Sequence, residues 1–174
     1  DIEMFYVTGL PRSGTTWFSN LLTARKSFCF HEPKINYSEK DFSMVHWLKS
    51  RDYDHIGISD SSLCLYWDEI VQPGEPMLLI KRDEKEVIHS LSKQFGFDAT
   101  EIVSKMTEML NTIKHDNVYE FNYEDINDYE RVKDACKFLL EESWMDPARI
   151  KFLIQTNVQR NQDYLDTIKM MAGV

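Results

Sequence analysis

Residues 7–17 read Val-Thr-Gly-Leu-Pro-Arg-Ser-Gly-Thr-Thr-Trp, and this stretch decides the fold. An apolar run over residues 4–7 precedes it, and a run compatible with a helix, residues 16–22, follows it. A strand, a glycine-bearing turn and a helix in this order predict a phosphate-binding loop. Gly9 and Gly14 permit backbone conformations that a side chain would block. Successive loop N–H groups can then point at one anion, to which the helix N-terminus adds positive partial charge.

The spacing Gly9-x4-Gly14-Thr15-Thr16 is that of a P-loop with one substitution. A P-loop NTPase carries Lys at the position of Thr15, and that Lys reaches the outer phosphates. In this chain the fixed cation stands earlier, at Arg12. We therefore expect the anion to be held by the loop backbone, by the Thr15 and Thr16 hydroxyls and by Arg12. A phosphotransferase that uses ATP is an alternative hypothesis, and the missing Lys counts against it.

The same loop carries a resemblance to a known family. Residues 11–17 resemble the 5′-phosphosulfate loop of sulfotransferases, which reads Pro-(Lys/Arg)-Ser-Gly-Thr-Thr-Trp or close to it. The resemblance implies that the loop binds 3′-phosphoadenosine 5′-phosphosulfate. It assigns donor-binding roles to Pro11, Arg12, Ser13, Gly14, Thr15, Thr16 and Trp17. Trp17 is implied to contact the adenine, and it is equally suited to pack the first helix onto the sheet.

A second segment of the chain is similar to the family. Residues 76–80 are predicted to form a short buried strand, bounded by Pro and by charge. In the family such a strand ends in an Arg that binds the 3′-phosphate of the donor together with a Ser eight positions later. Arg82 and Ser90 have this spacing. Arg82 would lie at the carboxyl end of a strand, where open α/β sheets bind ligands. The alternative is a surface Arg82 paired with Glu86.

A third segment supports the fold more than the chemistry. Residues 118–126 and the apolar run at residues 136–140 are similar to a family strand that ends in Tyr-Glu-Asp-Leu and the helix that follows it. Tyr123 and Asp125 are expected to cap and brace that helix, with no catalytic role.

Strands and helices are predicted to alternate along the whole chain, which favours a mostly parallel sheet covered by helices on both faces. The predicted strands are Met4–Thr8, Ser27–Phe30, His55–Ser59, Met77–Ile80 and Val118–Phe121. The predicted helices are Thr15–Ala24, Asp41–Ser50, Ser62–Val71, Glu84–Phe95, Asp98–His115 and Asp128–Glu142. The fold class is therefore α/β, three-layer α/β/α with about five strands, and the resemblance implies a P-loop NTPase-like sulfotransferase fold. Residues 1–174 are expected to form a single domain.

Three local predictions concern the helices and the C-terminal region. Asp98 and Glu101 are spaced as a capping box at the start of a helix. An apolar stripe in that helix is predicted to be core, at Ile102, Met106, Met109, Leu110 and Ile113. Residues 149–155 are predicted to add a strand, and residues 161–171 a further helix.

Composition excludes several classes of partner. The chain carries 20 basic and 29 acidic side chains, a net charge of −9, with no basic stripe that a nucleic acid would need. No apolar run approaches the length of a membrane span.

Cys29, Cys64 and Cys136 are odd in number and far apart, which argues against disulfides or a zinc site. They are predicted to be buried thiols in a reducing, cytoplasmic compartment.

The resemblance implies transfer of a sulfuryl group to a hydroxyl or amine of an unidentified acceptor, with adenosine 3′,5′-bisphosphate as product. Arg12 and the loop amides would meet the charge that develops on the transferred group. This scheme requires no metal ion. We do not find the C-terminal Arg-Lys-Gly loop that contacts the 3′-phosphate in the family. Arg160 is a candidate substitute, but a solvated surface Arg is the preferred interpretation of it. A non-catalytic nucleotide-binding module is therefore a further alternative.

Three residues that follow predicted strands are candidates for the general base. Glu32 is the first choice, because many family members carry a carboxylate or a Glu-Pro pair in this region. His31 is next, since a histidine titrates near neutrality. Adjacent strand residues point to opposite sides, so only one of these two is expected to face the sulfur. Cytosolic members use a His after the third strand; this chain has none there, which leaves Asp60 as the third choice.

Overall fold

A five-stranded, all-parallel sheet forms the centre of the protein in a computed structural model that describes residues 1–32, 51–141 and 146–155. The strands are β1 (Glu3–Gly9), β2 (Ser27–His31), β3 (His55–Ser59), β4 (Met77–Lys81) and β5 (Val118–Asn122). Their order in the sheet is β2-β3-β1-β4-β5. Each predicted strand is confirmed, with ends that differ by no more than one residue. Short runs of consecutive apolar residues form these strands because a parallel sheet is buried on both faces.

The helices agree with the prediction in most places. They are α1 (Thr15–Leu21), α2 (Trp67–Ile70), α3 (Glu84–Phe95), α4 (Thr100–Asn111), α5 (Tyr129–Leu140) and α6 (Pro147–Ile154), with 3₁₀ helices at Ser61–Leu65 and Tyr123–Asn127. The continuous helix predicted over residues 62–71 is wrong, because Tyr66 leaves helical geometry at φ −145° between the 3₁₀ helix and α2. Predicted helices at residues 41–50 and 161–171 lie outside the described residues, as does Arg160.

Two further predictions about helix ends are wrong. Residues 149–155 do not add a strand; they belong mostly to α6, where the Asp146 side chain accepts from the Arg149 N–H and Pro147 occupies the first turn. Asp98 does not cap α4 as a capping box would. Its carboxylate accepts from the N–H and the hydroxyl of Thr100, and Ala99 takes the cap position.

Helices cover both faces of the sheet because side chains alternate along each strand. Phe5 and Val7 of β1 pack in a core cluster with residues of α1, α5 and α6. Tyr6, between them, faces the other side, where the 3₁₀ helix at residues 61–65 packs. A further cluster joins Leu79 of β4 to α3 and α4 on that same side. The described chain is therefore a three-layer α/β/α structure.

The predicted core stripe of α4 is only partly correct. Val103 and Leu110 are buried, whereas Ile102 is 51% exposed and Met109 is 38% exposed. Met106 and Ile113 are partly buried against the same cluster. Ile102 and Met109 each stand one position before a buried residue, about 100° around the helix, so they fall beyond the narrow face that meets the sheet.

The order of the strands places a crevice between β1 and β4. From β1 the chain crosses through α1 to β2, at one edge of the sheet. From β4 it crosses through α3 and α4 to β5, at the opposite edge. Ligands of open α/β sheets bind at such a reversal, outside the carboxyl ends of the strands. Residues 10–14 follow β1 and Arg82 follows β4, so both predicted anion-binding segments lie at this crevice.

Two composition-based predictions meet the structure directly. Cys29, Cys64 and Cys136 are buried free thiols, as predicted. Within the described ranges, no helix combines the length and the apolar character that crossing a bilayer demands.

Candidate functional site

The loop after β1 has a backbone that its glycines make possible. Gly14 has φ 95°, in the left-handed region, and a Cβ built on it would lie 2.9 Å from Ile126 Cδ1. A Cβ on Gly9 would lie 2.8 Å from the carbonyl oxygen of Ile80, in the neighbouring strand. Arg12 also adopts a positive φ, 65°, which is unfavourable for a residue with a side chain. The loop therefore keeps a strained conformation close to β4.

Several polar groups of this loop have no hydrogen-bond partner among the described residues. No described residue accepts a hydrogen bond from the backbone N–H groups of residues 12–17. The Ser13 hydroxyl is fully buried and has no hydrogen-bond partner among the described residues. Buried polar groups are normally paired, so this concentration of donors without a described partner fits an anion that several of them share.

The second predicted anion-binding segment contacts this loop. The Arg82 guanidinium donates to the backbone carbonyl of Arg12, and Arg12 Nε donates to Ser90 Oγ at 3.2 Å. Arg82 also lies 3.6 Å from Glu86, so the predicted surface pair is present beside the loop contact. The guanidinium carbon of Arg82 stands 4.0 Å from the centroid of the Tyr123 ring. Arg12, Arg82 and Ser90 therefore meet at one point.

A cavity of about 260 Å³ opens beside the loop. Among the described residues it is lined by Pro11, Arg12, Thr15, Thr16, His31, Glu32, Leu91, Gln94 and Phe95. One wall is formed by the loop together with the end of β2, and the other is one face of α3. Arg82 contacts the loop from outside this lining.

His31 and Glu32 both face the cavity, so the expectation that they point to opposite sides is wrong. His31 Nε2 lies 2.9 Å from Thr16 Oγ1 and 3.8 Å from Glu32 Oε1. The alternation of a strand ends at His31, and Glu32 has φ 49°. This left-handed turn brings its side chain to the same side as the imidazole. Strained residues persist where their surroundings impose them, often at functional sites, and both Arg12 and Glu32 line this cavity.

Asp60, the third predicted base, is not among the described residues that line the cavity. It is fully buried at the carboxyl end of β3, and its side chain accepts hydrogen bonds from the Ser62 N–H and the Tyr66 hydroxyl. Burial raises the pKa of Tyr66, and the charge of Asp60 and the hydrogen bond to it raise that pKa further. These contacts give Asp60 a structural role as the cap of the 3₁₀ helix.

Trp17, implied to contact adenine, lies in the core. Its side chain is 7% exposed, packs edge-on against Phe18 and donates its indole N–H to the Leu153 carbonyl of α6 at 2.9 Å. Trp17 therefore packs in the core, which was the alternative to contact with the adenine. Asp125 lies 3.4 Å from Arg131 of α5, which agrees with the predicted bracing, while Asp128 caps that helix.

Sequence reasoning missed several residues of the site. Leu91, Gln94 and Phe95 line the cavity from α3, and Ser90, which was predicted to face the ligand, precedes Gln94 by one helical turn. That spacing was a usable signal. No comparable signal pointed to Tyr123 beneath Arg82, because the contact joins segments 41 residues apart.

A larger cavity, about 550 Å³, lies at the other end of the strands, where β1, β4 and β5 begin. Its described lining includes Glu3, Glu75 and Glu141 and no Lys or Arg. Among these described lining residues an anionic ligand meets no cation, so the size of the cavity alone does not make it the nucleotide site. The described residues also contain no group of three or more His, Cys, Asp or Glu side chains placed to hold a metal ion.

Neither a comparison with models of known protein families nor a search of curated proteins finds a match for this chain. The resemblance to sulfotransferases therefore depends on the residues quoted above.

Proposed function

We propose that this protein is a sulfotransferase of the P-loop-like fold, which transfers a sulfuryl group from 3′-phosphoadenosine 5′-phosphosulfate to a hydroxyl or amine. The observation that carries the proposal is the meeting of Arg12 with Ser90 and Arg82. It brings two sequence segments, each predicted to bind a phosphate, to one side of the crevice between β1 and β4. A nucleotide phosphorylated at both ends of its ribose needs two such groups of donors near each other.

The chain offers each end of this donor a separate set of groups. The N–H groups of residues 12–17, from which no described residue accepts a hydrogen bond, suit the 5′-phosphosulfate together with the Thr15 and Thr16 hydroxyls. Arg82 and Ser90 suit the 3′-phosphate. Hydrogen bonds between a guanidinium and a phosphate are stronger than neutral ones, and such local groups are needed because the chain as a whole carries a net charge of −9.

The cavity supplies what the transfer step requires of the protein. The donor supplies a sulfuryl group whose bond to the 5′-phosphate breaks as a bond to the acceptor forms. Arg12 and the loop N–H groups are fixed in place to stabilise the charge left on the phosphate. Glu32 lines the same cavity, and in this proposal it accepts the proton of the acceptor. The scheme assigns no step to a metal ion, and that remains a prediction, as does the single domain over residues 1–174.

Thermal unfolding with different nucleotides tests the proposal, because a ligand of the native state raises its apparent stability. We expect adenosine 3′,5′-bisphosphate to raise the melting temperature more than ATP with Mg²⁺ or adenosine 5′-phosphate at equal concentration. A larger shift with ATP and Mg²⁺ favours the phosphotransferase instead.

Binding of the bisphosphate without turnover identifies the second alternative, a non-catalytic nucleotide-binding module. Release of adenosine 3′,5′-bisphosphate from the donor is measured with a panel of alcohols, phenols and amines. Tight binding combined with no release above the rate without protein, for every acceptor, indicates a nucleotide-binding module that lacks the chemistry.

A further inference from the structure

The contact between Thr16 and His31 can exist in two forms with opposite consequences. Thr16 Oγ1 and His31 Nε2 are 2.9 Å apart, a hydrogen-bond distance. A neutral imidazole carries its proton on only one nitrogen. If Nε2 lacks the proton, the Thr16 hydroxyl donates to it. If Nε2 carries the proton, it donates to the hydroxyl oxygen, and the hydroxyl hydrogen remains available to another acceptor.

The surroundings of Nε2 favour the form in which Nε2 carries the proton. Glu32 Oε1 lies 3.8 Å from the same nitrogen, and the His31 side chain is only 13% exposed. A carboxylate near a weakly solvated imidazole stabilises a proton on the nitrogen that faces it. A proton on Nε2 has two oxygens nearby, and of these the Thr16 oxygen, at 2.9 Å, is the one within hydrogen-bond distance.

The Thr16 hydroxyl has no carbonyl of its own helix to bond. Thr23 Oγ1, two residues after the end of α1, donates to the Ser19 carbonyl four residues earlier at 2.8 Å. Thr16 makes no such bond to a described residue, because the residue four positions earlier precedes the helix. Once Nε2 donates to it, the hydroxyl hydrogen can point into the cavity that Thr16 lines.

We propose that His31 is a positioning residue, whose Nε2–H donates to Thr16 Oγ1 and directs the Thr16 hydroxyl hydrogen at the anion, so that Glu32 alone accepts the acceptor's proton. The role of the anion rests on the proposed function. The opposite form would present an oxygen lone pair to the 5′-phosphosulfate and weaken its binding. His31 Nε2 in the proposed form has no lone pair with which to accept a proton.

Two substitutions of His31 separate positioning from proton acceptance. In His31→Gln the amide N–H₂ replaces the Nε2–H donor but is not a base, whereas His31→Ala removes both. We expect His31→Gln to keep the Kd of adenosine 3′,5′-bisphosphate and the turnover within about threefold of the unmodified protein. His31→Ala should weaken that Kd by about tenfold, which corresponds to one hydrogen bond. If His31 is the base, both variants lose turnover by about 100-fold or more and keep the Kd.

A double-mutant cycle with Thr16→Val shows whether His31 acts through Thr16. Val has the shape of Thr without the hydroxyl. We expect His31→Ala to leave the Kd unchanged when Thr16 is already Val. A tenfold effect that persists in the Thr16→Val background would overturn the proposal.

The position of the proton is measured directly by NMR on protein with ¹⁵N-labelled histidine. His31→Gln assigns the signal among the 5 histidines. We expect a proton on Nε2 of His31 in the protein both alone and with adenosine 3′,5′-bisphosphate. A proton on Nδ1 alone would refute the inference. The NMR measurement on the protein alone does not require the nucleotide to bind. If the unmodified protein does not bind adenosine 3′,5′-bisphosphate, that result refutes the proposed function separately.

Discussion

The Arg82 guanidinium donates to the backbone carbonyl of Arg12 and thereby joins the end of β4 to the loop that follows β1. On its other side it lies 4.0 Å from the Tyr123 ring, which follows β5. Arg12 in turn reaches Ser90 on α3. Segments that follow three neighbouring strands are thus held together at the point where the strand order reverses, which is where an open α/β sheet binds its ligand.

Arg82 is expected to recognise one phosphate of the nucleotide. Arg82→Ala should weaken binding of adenosine 3′,5′-bisphosphate by about tenfold or more, since it removes a charge-assisted contact. Binding of adenosine 5′-phosphate, which lacks the 3′-phosphate, should change much less. Isothermal titration calorimetry measures both affinities.

Lys85→Ala is the matched control for Arg82→Ala. Lys85 is an exposed cation on α3, three residues further along the chain. Replacing it removes the same charge as Arg82→Ala does but leaves the contact to the loop in place. The affinity of the Lys85→Ala variant for both nucleotides should stay within about twofold of that of the unmodified protein, because screened surface charges contribute little. Equal weakening of both nucleotides by Arg82→Ala would contradict the assignment of Arg82 to the 3′-phosphate.

Glu32 is expected to be needed for turnover and not for nucleotide binding. Glu32→Gln keeps the shape of the side chain but cannot accept the proton, so turnover should fall by at least about tenfold while the Kd of adenosine 3′,5′-bisphosphate is unchanged. Turnover is measured as release of this product in the presence of an acceptor. Glu108→Gln, at an exposed position of α4, makes the same chemical change away from the cavity and should have no effect. Full turnover in Glu32→Gln removes Glu32 from the mechanism.

The parts of the fold that sequence could predict are those set by local pattern. Apolar runs between polar turns located all five strands, and Gly9 and Gly14 marked the loop. The spacing from Arg82 to Ser90 placed both on the side of the loop, because a helix of two turns returns to the same face. The family, activity and acceptor remain predictions.

Two of the errors arose where the backbone departs from the regular period of a helix or a strand. The break at Tyr66 accompanies a hydrogen bond to buried Asp60, which no local pattern reveals. Glu32 has a left-handed backbone conformation, so the alternation of side chains along a strand does not extend to it, and the prediction that His31 and Glu32 point to opposite sides was wrong. For residues 149–155 a local signal did exist, since Asp146 and Pro147 form a helix start. The apolar run after them is compatible with either a strand or a helix.

Tyr66 is expected to stabilise the protein through Asp60. The Tyr66→Phe substitution removes the hydroxyl that donates to a fully buried carboxylate, so the unfolding free energy should fall by about 2 kcal/mol or more. Urea denaturation near neutral pH measures the change. Tyr119→Phe is the control, because the Tyr119 hydroxyl makes no hydrogen bond to a described residue. It should change stability by less than about 0.5 kcal/mol. Equal effects of the two substitutions would show that the Asp60 contact contributes nothing.

Alkaline pH is expected to destabilise the protein through its buried thiols. Burial raises the pKa of Cys136 to about 12, and an unfolded cysteine has a pKa of about 8.5. Between these values the unfolded chain loses this proton and the native protein keeps it, so the unfolding free energy decreases as pH rises. Cys136→Ala removes one such group. The decrease between about pH 7 and about pH 9.5 should then be smaller by about 1.4 kcal/mol.

Urea denaturation under reducing conditions measures this decrease at both pH values. Cys136→Ala also loses packing at a fully buried position, so its stability near pH 7 is lower, and only the difference between the two pH values is compared. Ser104→Ala, at an exposed position of α4, should show the same decrease as the unmodified protein. If Cys136→Ala shows that decrease as well, the Cys136 thiol ionises equally in the native and unfolded states and is accessible to solvent in the native protein.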